Sequence, residues 1–330
     1  MRKCIRVVLF SEVNSKLGAP FLSILWAHPQ VKLLALVTSQ PGRSCTYFHE
    51  DKEQVDLERQ AQVLGVPVLR PHKVNETHVV DQLKKLNADF FIVGNFQQKL
   101  GRELLDIPKV MAINFHPSPL PRYAGLAPFY WMSRNGETKG GVSAIKMDEG
   151  LDTGPIILQR DMPLSGFETA IELRGSQENE NVFMLWELVP KMLSGDLECK
   201  SQYFEQRTYF GRPSDDDYCL DFTQSSKQVI QCVRAGYRYP GAYIIIDGAK
   251  RLTILSASQM RKEALGVQHM PNLIRKIENE VYVAAADGWV KIDTIEENGQ
   301  QVALVDAWTE IQDQSFAGRE WLPHDVEVEA

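Results

Sequence analysis

Up to His116 the chain shows an alternation that few folds accept. Five short apolar runs, each ended by polar or turn-forming residues, are separated by segments of helical period. The runs are Val7–Leu9, Val31–Thr38, Val66–Leu69, Phe90–Gly94 and Met111–Phe115. A strand with no polar face has to be covered on both sides. A parallel sheet between two helical layers does this, and its crossovers are themselves helices. The stretches between the runs supply them. Leu17–Trp26 places Leu17, Phe21, Ile24 and Leu25 on one face, and Val55–Leu64 and Val79–Leu86 also read as helices. In open sheets of this kind ligands bind beyond the carboxyl ends of the strands. Asn114 falls at the end of the fifth run.

The first strand-to-helix turn is not built for a dinucleotide. Phe10-Ser11-Glu12-Val13-Asn14-Ser15-Lys16-Leu17-Gly18 contains no GxGxxG. With 330 residues, 44% of them hydrophobic and 24% charged, the chain is long enough for two domains with cores of their own. The basic opening leads into an apolar run that stops at Phe10. That is short for a secretory leader, so a buried first strand is expected. No run reaches the ~18 apolar residues of a membrane helix. The five cysteines (Cys4, Cys45, Cys199, Cys219 and Cys232) are scattered and form no CxxC pair. Reduced thiols in a cytoplasmic protein are the expectation.

The pattern changes after about residue 205. A polar stretch, Arg212-Pro213-Ser214-Asp215-Asp216-Asp217, is followed by one helical segment, Ser225–Ala235. Strand-like runs come next: Ala242–Ile246, Arg251–Leu255, Val281–Ala285 and Trp289–Ile295. Asp247-Gly248, Asp287-Gly288 and Asn298-Gly299 punctuate them as turns. A small β-barrel is the expected outcome. The expected domains are therefore 1–205 and 206–330.

Two stretches carry the chemistry. The first is Asn114-Phe115-His116-Pro117-Ser118-Pro119-Leu120-Pro121-Arg122-Tyr123-Ala124-Gly125. Asn114 and His116 are two apart at a strand end, so their side chains leave the same face. The prolines then forbid regular structure and stiffen the loop. The second is Asp148-Glu149-Gly150-Leu151-Asp152-Thr153-Gly154, with three carboxylates among its first five residues. Spacing alone leaves two readings open: a strand cap with a core histidine and an acidic surface turn, or a site that sets Asp152 beside His116.

Taken together, Asn-x-His with its proline loop and the later Asp-x-Gly-x-Asp-Thr-Gly resemble the 10-formyltetrahydrofolate-dependent formyltransferases. The resemblance covers the whole chain. It implies a Rossmann-like α/β domain with a parallel sheet, followed by an OB-like small β-barrel. Its catalytic set maps onto Asn114, His116 and Asp152. Asn114 would donate to a developing oxyanion, and His116 and Asp152 would handle the amine proton, with their division of labour open. The resemblance places the folate, the formyl donor, against Val93, Gly94, Asn95 and Phe96 and against Asp148, Glu149, Gly150 and Leu151. Ser118, Arg122 and Tyr123 fall on the acceptor side. No metal is called for.

The acceptor is a matter of charge. Pro119-Leu120-Pro121-Arg122-Tyr123-Ala124-Gly125 looks closer to peptide-synthetase formylation domains than to the Ser-Leu-Leu-Pro of many members. The segment Gly42–Glu53, where the tRNA enzymes carry a basic loop, is mixed and partly acidic. From Gln206 onward there are 13 Lys/Arg against 19 Asp/Glu, within a net charge of −7. Acidic surface repels phosphate. The expected acceptor is thus a small-molecule or carrier-bound amine. Methionyl-tRNA is the alternative, and hydrolysis of 10-formyltetrahydrofolate, against which the presence of Asn114 argues, is the other. A nucleic-acid-binding barrel without catalysis is disfavoured by the same charge balance.

Overall fold

The computed structural model describes residues 4–40, 42, 43, 45, 54–246, 250–260, 270–297 and 299–304. The chain divides into two compact units. The first comprises Met1–Pro128, Lys139–Pro163 and Arg174–Gly211; the second comprises Phe129–Thr138, Leu164–Leu173 and Arg212–Ala330. Among the described residues no helix is long and apolar enough to cross a membrane.

The first unit begins with β1 (Ile5–Phe10), α1 (Gly18–Ala27), β2 (Val31–Val37), α2 (Leu57–Val63), β3 (Val68–Leu69), α3 (Thr77–Lys85), β4 (Phe90–Gly94), α4 (Arg102–Leu105) and β5 (Met111–His116). After β6 (Ala124–Gly125) come β7 (Lys139–Lys146), β8 (Ile156–Pro163), α6 (Ala170–Ser194) from Arg174 onward and β9 (Tyr209–Phe210), while α5 (Pro128–Arg134) beyond its first residue and the first turn of α6 belong to the second unit. A seven-stranded sheet runs in the order β3-β2-β1-β4-β5-β7-β8. The five strands expected from the apolar runs are mutually parallel. The sheet is nevertheless mixed, because β7 pairs antiparallel with β5 and β8 antiparallel with β7.

Period-two alternation explains the apolar runs. Ile5, Val7 and Leu9 of β1 join Phe21, Leu22 and Leu25 of α1 and Met184, Leu185 and Leu188 of α6 in one core. Their neighbours Val8 and Phe10 point the other way, against Val79, Val80 and Leu83 of α3 and Leu104 of α4. Each such side chain, fully buried, stabilises by about 1.5–3 kcal/mol. A polar residue at any of these strand positions would have to enter one core or the other.

The second unit contains α7 (Ser226–Gly236) and β10 (Ala242–Ile246), β11 (Lys250–Met260), β12 (Ile274–Ile277), β13 (Glu280–Ala284), β14 (Trp289–Glu297) and β15 (Gln300–Ala303). The strands form a six-stranded sheet, with order β10-β11-β14-β13-β12 and β15 on β14, all antiparallel, as expected of a strand-rich barrel unit. Helix α7 starts where the sequence reading put it, because Ser225 and Gln228 form a reciprocal capping box. Its buried Val229, Ile230 and Val233 pack on Ile254, Val283 and Val290. Asp287-Gly288 turns β13 into β14, with the Ala285 amide donating to the Gly288 carbonyl at 2.8 Å. Asp247-Gly248, Asn298 and most of the Gly42–Glu53 segment lie outside the described residues.

Candidate active site

The carboxyl end of β5 presents the first two site residues. Ile113 and Phe115 enter the α1–α6 core. Asn114 and His116, one position out of phase, therefore leave the opposite face. Asn114 pairs in register with Val93 of β4 on one side and with Ile145 of β7 on the other. That fixes its height above the sheet.

Asp152 arrives from the loop between β7 and β8. Its φ is +55°, a left-handed conformation that costs a non-glycine residue about 1–2 kcal/mol. In return its carboxylate faces three groups. Oδ1 lies 3.5 Å from Asn114 Nδ2 and 3.5 Å from His116 Nδ1. Oδ2 accepts the Gly125 amide at 2.9 Å. The imidazole is only 6% exposed and the carboxylate 13%. On its far side His116 Nε2 is 3.0 Å from the Tyr123 carbonyl oxygen. A carbonyl can only accept, so Nε2 carries the hydrogen. Nδ1 is the nitrogen left to exchange a proton with Asp152.

The proline loop between these residues is held from below. Ser118 is fully buried, and its hydroxyl donates to the Arg122 carbonyl at 2.8 Å. The buried Ser143 hydroxyl donates to the Ser118 carbonyl and accepts from the Leu120 amide and from Gln159 Nε2. Gln177 Nε2 donates to the Pro117 carbonyl at 2.7 Å. Tyr123 is 4% exposed and stacks on Phe210, with ring centroids 5.1 Å apart. Of the residues expected on the acceptor side, Ser118 thus spends its hydroxyl inside the loop and Tyr123 buries its ring against Phe210. The Arg122 guanidinium lies 5.6 Å above the Tyr123 ring.

The positions expected to meet the folate divide similarly. Val93 and Gly94 end β4 beside Asn114 and Phe115. Asn95 has φ +52°, and its buried Nδ2 has no hydrogen-bond partner among the described residues. The Phe96 ring sits edge-on to Phe10 at 5.5 Å and belongs to the core. Asp148 staples the acidic loop, accepting the Gly150 amide at 3.0 Å and the Thr153 hydroxyl at 2.6 Å. Glu149 faces Arg102 at 3.5 Å. A Cβ on Gly150 would meet Thr153 Oγ1 at 1.8 Å. Leu151 is 50% exposed. Among the described residues no group of three or more His, Cys, Asp and Glu side chains could hold a metal ion.

Sequence reasoning missed two contributors. One is the Gly125 amide, which has no side chain to advertise it. The other is the segment Gln202–Phe210, whose side chains bond to the backbone of both loops.

Comparison with known proteins bears on the family of the chain. Residues 6–188 match the formyl transferase family, and residues 213–312 match the formyl transferase C-terminal domain. A methionyl-tRNA formyltransferase of Thermodesulfovibrio yellowstonii is 32% identical over 273 residues, covering 82% of this chain and 85% of that one. The Geobacter sulfurreducens methionyl-tRNA formyltransferase is 34% identical over 242 residues, 73% of this chain and 74% of its own. Similar solved structures include WlaRD, a sugar 3N-formyl transferase crystallised in the presence of dTDP and 5-N-formyl-THF. It has a TM-score of 0.67 at 17% identity, over 90% of this chain and 98% of that one. The Helicobacter canadensis N-formyltransferase, in complex with folinic acid and dTDP-3-aminofucose, gives 0.65 at 18% identity, over 89% and 100%. With one profile spanning the α/β unit and its site motifs and the other the strand-rich unit, the chain belongs to the formyl transferase family.

Proposed function

We propose that this formyltransferase moves the formyl group of 10-formyltetrahydrofolate onto the amine of a small-molecule or carrier-bound acceptor, with Asn114, His116 and Asp152 as the reacting set. One observation carries the proposal. A single carboxylate oxygen of Asp152 faces both the Asn114 amide and His116 Nδ1, at the ligand-binding edge of the sheet. In this reading the amine nitrogen attacks the formyl carbon. Asn114 Nδ2 donates to the oxygen as it becomes an oxyanion, its contact to Asp152 being loose at 3.5 Å. The amine proton passes to the His116–Asp152 pair. Collapse breaks the bond between the formyl carbon and N10, and N10 takes the proton back from the pair.

The folate side is supported by the ends of β4 and of the acidic loop. The Asn95 amide offers a buried donor there, and the half-exposed Leu151 offers apolar surface. Relatives in the same fold were crystallised with formylated folates. The choice of a small acceptor is supported by charge, since two basic side chains of the second unit, Arg251 and Lys291, are neutralised locally. Arg251 pairs with Asp215 at 2.8 Å, and Lys291 with Glu280 and Asp293 at 2.7 and 3.2 Å. Such pairs have little left for a phosphate backbone. A second reading, methionyl-tRNA as acceptor, draws its support from the relatives at 32% and 34% identity.

Following the folate product by absorbance, with initiator methionyl-tRNA, a panel of nucleotide-linked amino sugars, and free or carrier-bound amino acids as acceptors, tests the proposal. Turnover with a small or carrier-bound amine is expected. Turnover with the tRNA alone would overturn the charge argument. Folate product without any acceptor would mean hydrolysis and remove the role given to Asn114.

A further inference from the structure

We propose that the segment Gln202–Phe210 is a positioning strap for the reaction, and that Gln202 and Arg207 govern turnover through Asp152 without touching either substrate; this rests on the role given to Asp152 above. The starting point is the conformation of Asp152. A left-handed aspartate reverts to ordinary backbone unless its surroundings hold it. A carboxylate that must face Asn114, His116 and the Gly125 amide at once tolerates little drift.

What holds it is a set of side-chain donors from about fifty residues downstream. Gln202 Nε2 donates to the Asp152 carbonyl at 2.9 Å and to the Gly154 carbonyl at 2.7 Å. The Arg207 guanidinium donates to the Asp152 carbonyl at 3.3 Å and to the Leu151 carbonyl at 2.8 Å. The two side chains thus grip the peptide planes on either side of the left-handed residue. Gln202 is itself buried, 6% exposed. Gly154 has to be glycine for the loop to lie this close, since a Cβ there would sit 1.7 Å from the Lys146 carbonyl oxygen.

The other end of the segment grips the proline loop. Thr208 Oγ1 accepts the Tyr123 amide at 2.8 Å, and its carbonyl accepts the Ala124 amide at 3.0 Å. The Thr208 amide donates to the Pro121 carbonyl and the Leu126 amide to the Phe210 carbonyl, at 3.3 and 2.9 Å. Strand β9 lies parallel to β6, with Ala124 opposite Tyr209 and Gly125 opposite Phe210. Tyr123 supplies the carbonyl that orients His116, and Gly125 supplies the amide on Asp152 Oδ2. One stretch of chain therefore sets the distance between the loop that carries the carboxylate and the loop that orients the imidazole. Displacements near 1 Å in such constellations cost roughly 10²-fold in rate.

The test uses the full-length chain and steady-state kinetics in both substrates. Binding of 5-formyltetrahydrofolate is followed by calorimetry, and folding by circular dichroism. Gln202→Ala and Arg207→Ala should each lower kcat roughly 10-fold, with the donor KM and 5-formyltetrahydrofolate binding unchanged. Gln202→Glu keeps the shape and puts an acceptor opposite two carbonyl oxygens. It should fall at least as far as Gln202→Ala, which a packing role would not produce. Arg207→Lys should regain most of the loss of Arg207→Ala. Glu205→Ala, an exposed change in the same segment, should behave as wild type. Wild-type kcat in Gln202→Glu and Arg207→Ala, alongside an inactive Asp152→Asn, would overturn the strap alone. A raised donor KM at unchanged kcat would overturn it too. Full activity in Asp152→Asn would overturn the underlying reading of the site.

Discussion

Replacing Gly125 with alanine adds one methyl group and should disable the site from its backbone. Gly125 has φ +101°, and a Cβ there would lie 2.1 Å from the Phe210 carbonyl oxygen and 2.8 Å from the Tyr209 ring. Carbon and oxygen approach no closer than about 3.3 Å, so β6 and β9 would have to part by about 1 Å. The Gly125 amide donates to Asp152 Oδ2 at 2.9 Å, and that bond would go with the movement. Hydrogen bonds to charged groups contribute about 1.5–3 kcal/mol, which as a lost contribution to the transition state means roughly a 10- to 100-fold fall in kcat. The backbone conformation itself adds about 1–3 kcal/mol of instability. Gly65→Ala separates the two effects. Gly65 also has positive φ, +69°, but nothing lies within 4 Å of its Cβ position. That variant should lose about 1 kcal/mol of stability and keep its kcat. The assay is kcat at saturating donor and acceptor with Tm by circular dichroism. Wild-type turnover in Gly125→Ala would refute the reasoning, and so would an equal loss in Gly65→Ala.

Asn114→Ala should lower kcat about 10²- to 10³-fold while 5-formyltetrahydrofolate still binds; a loss of binding instead of turnover would move Asn114 out of the oxyanion role. Arg122→Ala should raise the acceptor KM more than the folate KM, and equal changes in both would remove Arg122 from acceptor selection. Cys232 gives a pH dependence. Burial pushes its thiol up to about 11 from an ordinary 9.0. The folded state thus holds the proton more tightly than the unfolded one, a contribution complete below about pH 9 and eroded as pH rises towards 11. Melting temperatures across that window should fall more steeply for the wild type than for Cys232→Ala; parallel curves would exclude the thiol as the source.

How much of this was legible in the sequence depended on how each part announces itself. Strand β4 and strand β10 begin and end where their apolar runs do; all five residues of β4 are buried, as are Ala242, Tyr243 and Ile244 of β10, and burial writes composition directly. Strands β7 and β8 left no such mark. Gly140-Gly141 reads as a turn, yet glycine is needed there because a Cβ on Gly141 would lie 2.7 Å from the Arg160 carbonyl oxygen. Strand β8 lies at the sheet edge, and its residues Leu158–Pro163 alternate between half-buried and exposed. In the site, Asn114, His116 and Asp152 stood out through their spacing and their glycine and proline neighbours. Gln202, Arg207 and Thr208 did not, since they bond backbone groups and any sequence supplies a carbonyl. That the Ser118 hydroxyl and the Tyr123 ring are buried was not legible either, because loop position alone carries no information about which side chains turn in.

The chain passes between its two compact units five times, at 128/129, 138/139, 163/164, 173/174 and 211/212. Recombination at a single junction is the cheapest way for a protein to acquire a new appendage. Here a crossover near residue 211 would import a second unit missing two of its own pieces, Phe129–Thr138 and Leu164–Leu173, and leave foreign ones behind. Those pieces meet their partners by specific contacts: Tyr130 donates to the Asp217 carbonyl at 2.7 Å, and the Arg234 guanidinium lies 4.7 Å above the Phe167 ring. A chimaera that exchanges this half of the molecule has to carry all three segments together, so the lineage could change its C-terminal half more readily by gradual substitution than by cassette exchange.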